Sequence, residues 1–209
     1  MVLIDSLYYR MMSFILSVFL SNGQDVSECN RYSIYQNTTG VFQQFGKYKM
    51  SLKDNIRIGA PNKMLCEGEI TNQLSELGFT INPEQYHEGF DTVLAKEYGG
   101  IDLSGGQWNR IAIARGLFKE HDLIVLDEPT SAIDPIEEKR LYELIAKISE
   151  NKTSIIITHR LGSVKLANRI IVMDQGKIIG DGSHSYLLEN CIKYRRMWEL
   201  QKEMYLEAE

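Results

Sequence analysis

Two apolar runs constrain this chain more than any other feature. Leu123–Leu126 and Ser154–Ile157 are short, rich in β-branched residues and free of polar alternation, the pattern of strands covered on both faces. Between them Leu141, Leu144, Ile145 and Ile148 recur at helical spacing and mark one apolar helix face. Strand, helix and strand in that order predict an α/β fold with a parallel core sheet flanked by helices. With 209 residues, 44% of them hydrophobic, the chain has the apolar mass for one full domain and a smaller appendage.

The pattern extends in both directions. Val41–Gln43 reads as the end of an earlier strand. Ser51 stands before Leu52–Ile56 as an N-cap, and Ile70, Leu74 and Leu77 recur at helical spacing until Gly78 supplies a stop, so the region up to about Gly100 reads as mainly helical. Arg169–Met173 and Lys177–Ile179 read as two strands joined by a tight turn at Asp174–Gly176. From Tyr186 onward the chain is mixed in charge and favours helix. Its bases Lys193, Arg195 and Arg196 are matched by Glu199, Glu203, Glu207 and Glu209, which favours a solvated terminal helix over a membrane-surface one.

Charge and cysteine content narrow the partners. The 23 basic residues against 28 acidic ones give a net charge of −5, which disfavours nucleic acid as a partner. Cys29, Cys66 and Cys191 are odd in number and widely spaced, fitting neither a disulfide framework nor a zinc site, and a reducing cytosol is the simplest setting. The apolar run Met11–Leu20 is half the length of a membrane-crossing helix, and with Asp5 before it and no cleavage site after it, a buried strand or a displaced loop is expected.

Three segments carry chemistry. The run Leu123–Leu126 ends in Asp127 and Glu128, and in open α/β sheets ligands bind beyond the carboxyl ends of strands. An aspartate there can hold Mg²⁺ and a neighbouring glutamate can polarise an attacking water, the division of labour that phosphoryl transfer requires; the dipeptide alone fits a polar turn before Pro129 equally well. Ser154–Ile157 likewise delivers Thr158 and His159, and that histidine could hydrogen-bond a γ-phosphate, whereas His87, His121 and His184 read as surface residues. Leu103, Ser104, Gly105, Gly106 and Gln107 precede a helix, so free amides and a hydroxyl could meet a phosphate there, although a plain serine cap with turn glycines has the same sequence.

Taken together, Leu103–Gln107, then Leu126–Asp134, then Thr158–His159 resemble the nucleotide-binding domain of ATP-binding cassette (ABC) transporters. The resemblance implies a P-loop NTPase-like cassette with a helical subdomain. Leu103–Gln107 would be its signature motif, Asp127 and Glu128 the Walker B metal residue and catalytic glutamate, Ser131–Asp134 the D-loop, and His159 the switch histidine. Gln43 matches the metal-contacting and water-contacting glutamine, with Gln44 offering the same chemistry one residue on. Asp134, Pro135 and Glu137 also resemble a helix start, so Asp134 could cap a helix while crossing a dimer interface. Implied with the family are ATP and Mg²⁺, a second nucleotide-binding domain packed head to tail, a transmembrane domain, and a place at the cytoplasmic face of the cell membrane. The flavour of Asp102–Trp108 and Thr158–Gly162 is similar to bacterial peptide and lantibiotic exporters.

One family element does not occur in the 209 residues, the phosphate loop GxxxxGK[ST]. Leu7–Arg10 resembles the segment just beyond the helix that this loop opens, so a cassette incomplete at its N-terminus, by truncation or frame disturbance, is expected. On this reading residues 1–21 are a divergent remnant, 22–185 the ATP-binding domain with its helical subdomain at about 46–118, and 186–209 a C-terminal helical tail. The alternative function is a non-catalytic cassette that lends its signature motif to a partner. A third, an ABC-type head from DNA repair or chromosome organisation, predicts flanking heptads and a basic face that the sequence does not carry.

Overall fold

The computed structural model describes residues 20–21, 24–25, 28, 30–64, 66–130, 135–150 and 152–206. In chain order these form β1 (Leu20–Ser21), β2 (Gln24–Asp25), α1 (Arg31–Asn37), β3 (Thr38–Val41), α2 (Leu52–Arg57), α3 (Glu67–Glu76), α4 (Gly105–Phe118), β4 (Leu123–Asp127), α5 (Pro135–Ile148), β5 (Thr153–Ile157), β6 (Ile170–Asp174), β7 (Lys177–Gly182), α6 (His184–Asn190) and α7 (Ile192–Leu206). They divide into two compact units, one of residues 36–158 and the other of the described residues outside that range.

The larger unit is built on a parallel sheet of order β3-β4-β5, with Val41 opposite Leu126 and Asp127 opposite Ile157. Ile124, Val125, Leu126 and Asp127 are all buried, which is why the central strand shows no polar alternation. Helix α4 is buried on nearly every side, through Trp108, Ile111, Ile113, Ala114 and Phe118 among others. It meets β3 at Gly116, where an added Cβ would come within 2.8 Å of Val41 Cγ2, and there Thr39 Oγ1 donates to the Gly116 carbonyl at 3.0 Å. The apolar face expected for α5 is present, with Leu141, Leu144 and Ile145 in the core. This is the α/β architecture that the two apolar runs predict.

Between β3 and α4 the expectation holds in part. Ser51 caps α2 by accepting from the Asp54 amide, and α3 gives way at Leu77 to Gly78, whose φ of +69° ends the helix. Residues 78–104, by contrast, are mostly turns and two single 3₁₀ turns at Gly89–Asp91 and Lys96–Tyr98, not helix. This stretch is held by tertiary hydrogen bonds: Leu52 N–H donates to the Thr92 carbonyl and Leu94 N–H to that of Met50. Tyr86 anchors it, fully buried edge-on to Phe79, and burial pushes its phenol up to about 12. The first core strand also stops earlier than read, at Val41, so that Gln43 lies in a bend.

In the smaller unit β6 and β7 form an antiparallel hairpin closed by Gln175 and Gly176, both at positive φ (47° and 75°), as a tight two-residue turn demands. Ile170 and Val172 pack on Leu187, Cys191 and Tyr194 of the C-terminal helices and the residue between them. Helix α7 therefore departs from the fully solvated helix expected: Lys193, Arg195 and Arg196 are exposed, but Tyr194 is buried and Trp198 half-buried. His184, read as a surface residue, is half-buried; its Nδ1 shares a hydrogen bond of 2.7 Å with the Tyr194 hydroxyl and its ring meets that of Trp198 edge-on. His121, in the larger unit, is also buried, because its Nδ1 reaches the Lys119 carbonyl at 2.6 Å in the turn before β4. His87 is exposed as expected. Met11–Phe19, Cys29 and the segment Ser131–Asp134 expected to be the D-loop lie outside the described residues.

Candidate nucleotide site

Register brings the ends of β3, β4 and β5 to one sheet edge. Because all strands of the core sheet run parallel, the chain leaves β3 toward Gln43, β4 at Asp127 and Glu128, and β5 toward Thr158 at the same carboxyl end. Asp127 and Glu128 are both 7% exposed, adjacent carboxylates at the rim of an apolar sheet. Burial, and then the Glu128 charge beside it, push the Asp127 carboxyl above the ordinary aspartate range. Glu128 takes a left-handed backbone conformation, φ +47°, while its amide donates to the Ile157 carbonyl at 2.9 Å. Two residues on, the buried Thr130 hydroxyl lies 3.4 Å from the Tyr142 hydroxyl of α5. Gln43 and Gln44 are both exposed beyond β3.

The glycine-rich segment is a helix start of the kind expected. Ser104 Oγ accepts from the Gln107 amide at 3.2 Å and Gln107 Oε1 accepts from the Ser104 amide at 2.9 Å, a complete capping box. Ser104 and Gly105 are exposed, Gly106 and Gln107 half-buried, and Leu103 is half-buried against the core. Gly116 is the residue of α4 that abuts β3, and Ser104 lies twelve residues before it, about 18 Å along the axis. The serine and the glycines are thus at the far end of α4 from its contact with the sheet.

His159 follows Thr158 and belongs to the smaller unit, where it is exposed and its carbonyl accepts from Gln201 Nε2 at 2.5 Å. Among the described residues no three His, Cys, Asp or Glu side chains cluster as a metal site. Mg²⁺ does not need such a cage: it takes one or two carboxylates and completes its shell with water and substrate phosphates, which the Asp127–Glu128 pair can satisfy. No helix among the described residues is long and apolar enough to cross a membrane.

The family profile described as ABC transporter matches residues 17–131. The chain belongs to the ABC transporter family. It is 41% identical over 192 residues to the subtilin transport ATP-binding protein SpaT of Bacillus subtilis, an alignment covering 88% of this chain and 30% of that protein. It is 35% identical to the nisin transport ATP-binding protein NisT of Lactococcus lactis subsp. lactis, covering 78% of this chain and 27% of that one. Among solved structures, a bacterial Atm1-family ABC exporter with ATP bound superposes with a TM-score of 0.78 at 26% identity, covering 92% of this chain and 35% of that chain. This ABC chain therefore spans about a third or less of the length of these relatives. Its fold is that of the ABC ATP-binding domain.

Sequence reading did not find the side chains that hold this site from beneath. Tyr142 under Thr130, and Asn55 and Arg115 beneath the Gln43 loop, make contacts that no local pattern announces. The one available signal was a polar Asn55 on the otherwise apolar face of Leu52 and Ile56.

Proposed function

We propose that this chain serves the ATP-hydrolysing part of an exporter, and that the buried Asp127–Glu128 pair at the end of β4 is its chemical centre. That pair carries the reading: two adjacent carboxylates at 7% exposure are costly to fold around, and a divalent cation and a water to be activated give both a use. Asp127 would hold Mg²⁺, with Gln43 offering its side-chain carbonyl. Bound there, Mg²⁺ supplies neutralisation of the charge on the transferring phosphoryl group. Glu128 orients the attacking water and accepts its proton. His159 hydrogen-bonds γ-phosphate oxygens and keeps the water in register.

Leu103, Ser104, Gly105, Gly106 and Gln107 present a capped helix N-terminus, suited to a phosphate. Their place at the end of α4 remote from the sheet suits an ATP held by a second nucleotide-binding domain packed head to tail, with Ser131 and Asp134 crossing between the two. A transmembrane domain would take up the resulting motion, which puts the chain at the cytoplasmic face of the membrane. The domain limits 22–185, with a helical subdomain at about 46–118 and a tail at 186–209, belong to the same proposal.

The test measures ATP hydrolysis by the 209-residue chain alone and mixed with a complete homologous cassette. The chain alone, with no GxxxxGK[ST] sequence, should give background rates. Mixing should raise turnover, and Ser104→Asp should abolish the gain. Hydrolysis by the isolated chain that survives Glu128→Gln would overturn the proposal.

A further inference from the structure

We propose that Arg115 is a positioning residue, holding the loop that follows Gln43 against the helix that begins at Ser104. Arg115 stands near the end of α4 and divides its fork between Asn55 of α2 and the loop at Gly46. Its Nε donates to the Asn55 carbonyl at 2.7 Å, one terminal nitrogen to the Gly46 carbonyl at 2.5 Å, and the other to Asn55 Oδ1. Its guanidinium plane lies 4.8 Å from the Tyr48 ring centroid. All three acceptors are neutral oxygens, so what these contacts fix is direction: a planar fork with stacking, which a lysine cannot reproduce.

Asn55 completes the clamp from α2. It is fully buried, and its Nδ2 reaches the carbonyls of Tyr48 at 3.0 Å and Met50 at 3.1 Å. One loop is thus gripped at Gly46, Tyr48 and Met50 by two side chains that also grip each other. The turn after α2 runs so close to α4 that a Cβ on Gly59 would overlap the Arg115 carbonyl. Gln43 is three residues before the pinned Gly46, so even a fully extended chain keeps it within about 10 Å of that anchor. The clamp thus limits how far Gln43 can stray from the C-terminal half of α4, the helix that Ser104 caps at its other end.

The consequence for hydrolysis rests on Gln43 contacting Mg²⁺ and water, but the clamp is testable without nucleotide, so the two ideas fail separately. Amide hydrogen exchange would be followed by mass spectrometry on the full chain and on Arg115→Lys and Tyr48→Leu. In Arg115→Lys the amides of Met50, bonded to the Tyr48 carbonyl, and of Leu94, bonded to the Met50 carbonyl, should exchange about tenfold faster, with those of Ile124–Leu126 unchanged. Tyr48→Leu removes only the stacked ring and should speed the same amides about threefold. Unchanged exchange at these two amides, or equal acceleration in β4, would overturn the clamp; if Arg115→Lys does not fold, the Tyr48→Leu result decides.

Discussion

The amide of Glu128 donates to the carbonyl of Ile157 at 2.9 Å while its own φ is +47°. The β4–β5 ladder therefore runs one residue past the end of β4, into a backbone conformation that side chains other than glycine rarely adopt. Branching at Cβ makes that conformation worse. Glu128→Val should consequently unfold at lower urea than Glu128→Gln, by about 1–3 kcal/mol, although both remove the carboxylate. Equal midpoints would mean that the turn relaxes freely.

Asp127 supplies a pH signature. Its folded carboxyl titrates above the ordinary 3.8, so the folded state binds the proton more readily than the unfolded chain. The charged form is the penalised one, and stability falls as pH rises from 3.8 through the higher folded value. Asp127→Asn should therefore raise the melting temperature at neutral pH, each 1 kcal/mol gained appearing as about 2–4 °C. The gap should close as pH falls below the ordinary aspartate value. A variant that melts lower at neutral pH would contradict the assignment.

Ser104 separates folding from binding. Ser104→Ala loses the capping box and should cost about 1 kcal/mol in denaturant unfolding. Ser104→Asp keeps a cap and should recover most of that stability, yet its added charge should repel a phosphate at the same amides. Recovery of both stability and partner stimulation by aspartate would show that the serine only caps.

His121 acts in the opposite direction to Asp127. Burial holds its pKa below the ordinary 6.5, opposed in part by the bond to the Lys119 carbonyl. The unfolded chain takes up the proton first, so stability is lost as pH falls from 6.5 toward the lower folded value. In His121→Asn the amide nitrogen can keep the bond to Lys119 without titrating. Urea midpoints measured between about pH 7 and 5 should fall less in that variant than in the parent chain. His184, also held low by burial, leaves a residual slope in both.

Much of this was legible because its causes are local. The buried strand β4, the Ser51 and Ser104 caps, the Gly78 stop and the β6–β7 turn each follow from a few adjacent residues, whereas β5, read as covered on both faces, is only half-buried. What could not be read depends on contacts far apart in sequence. Residues 78–104 look helix-compatible piece by piece, but their amides and carbonyls find partners at Met50 and Leu52 instead of four residues along. His121 looks like a loop histidine until its ring is folded back on Lys119. The Asn55–Arg115 pair spans sixty positions, and neither residue type names its partner.

The neighbouring strands of the core sheet are themselves distant in the chain: Val41, at the end of β3, pairs with Leu126 of β4. At ribosomal rates of about 5–20 residues per second, the β3 segment waits about 4–17 s before its partner has been made. During that interval Thr38–Val41 offers an unpaired ladder to any extended chain nearby, so slowing or hastening synthesis between the two should change how much of the protein emerges aggregated.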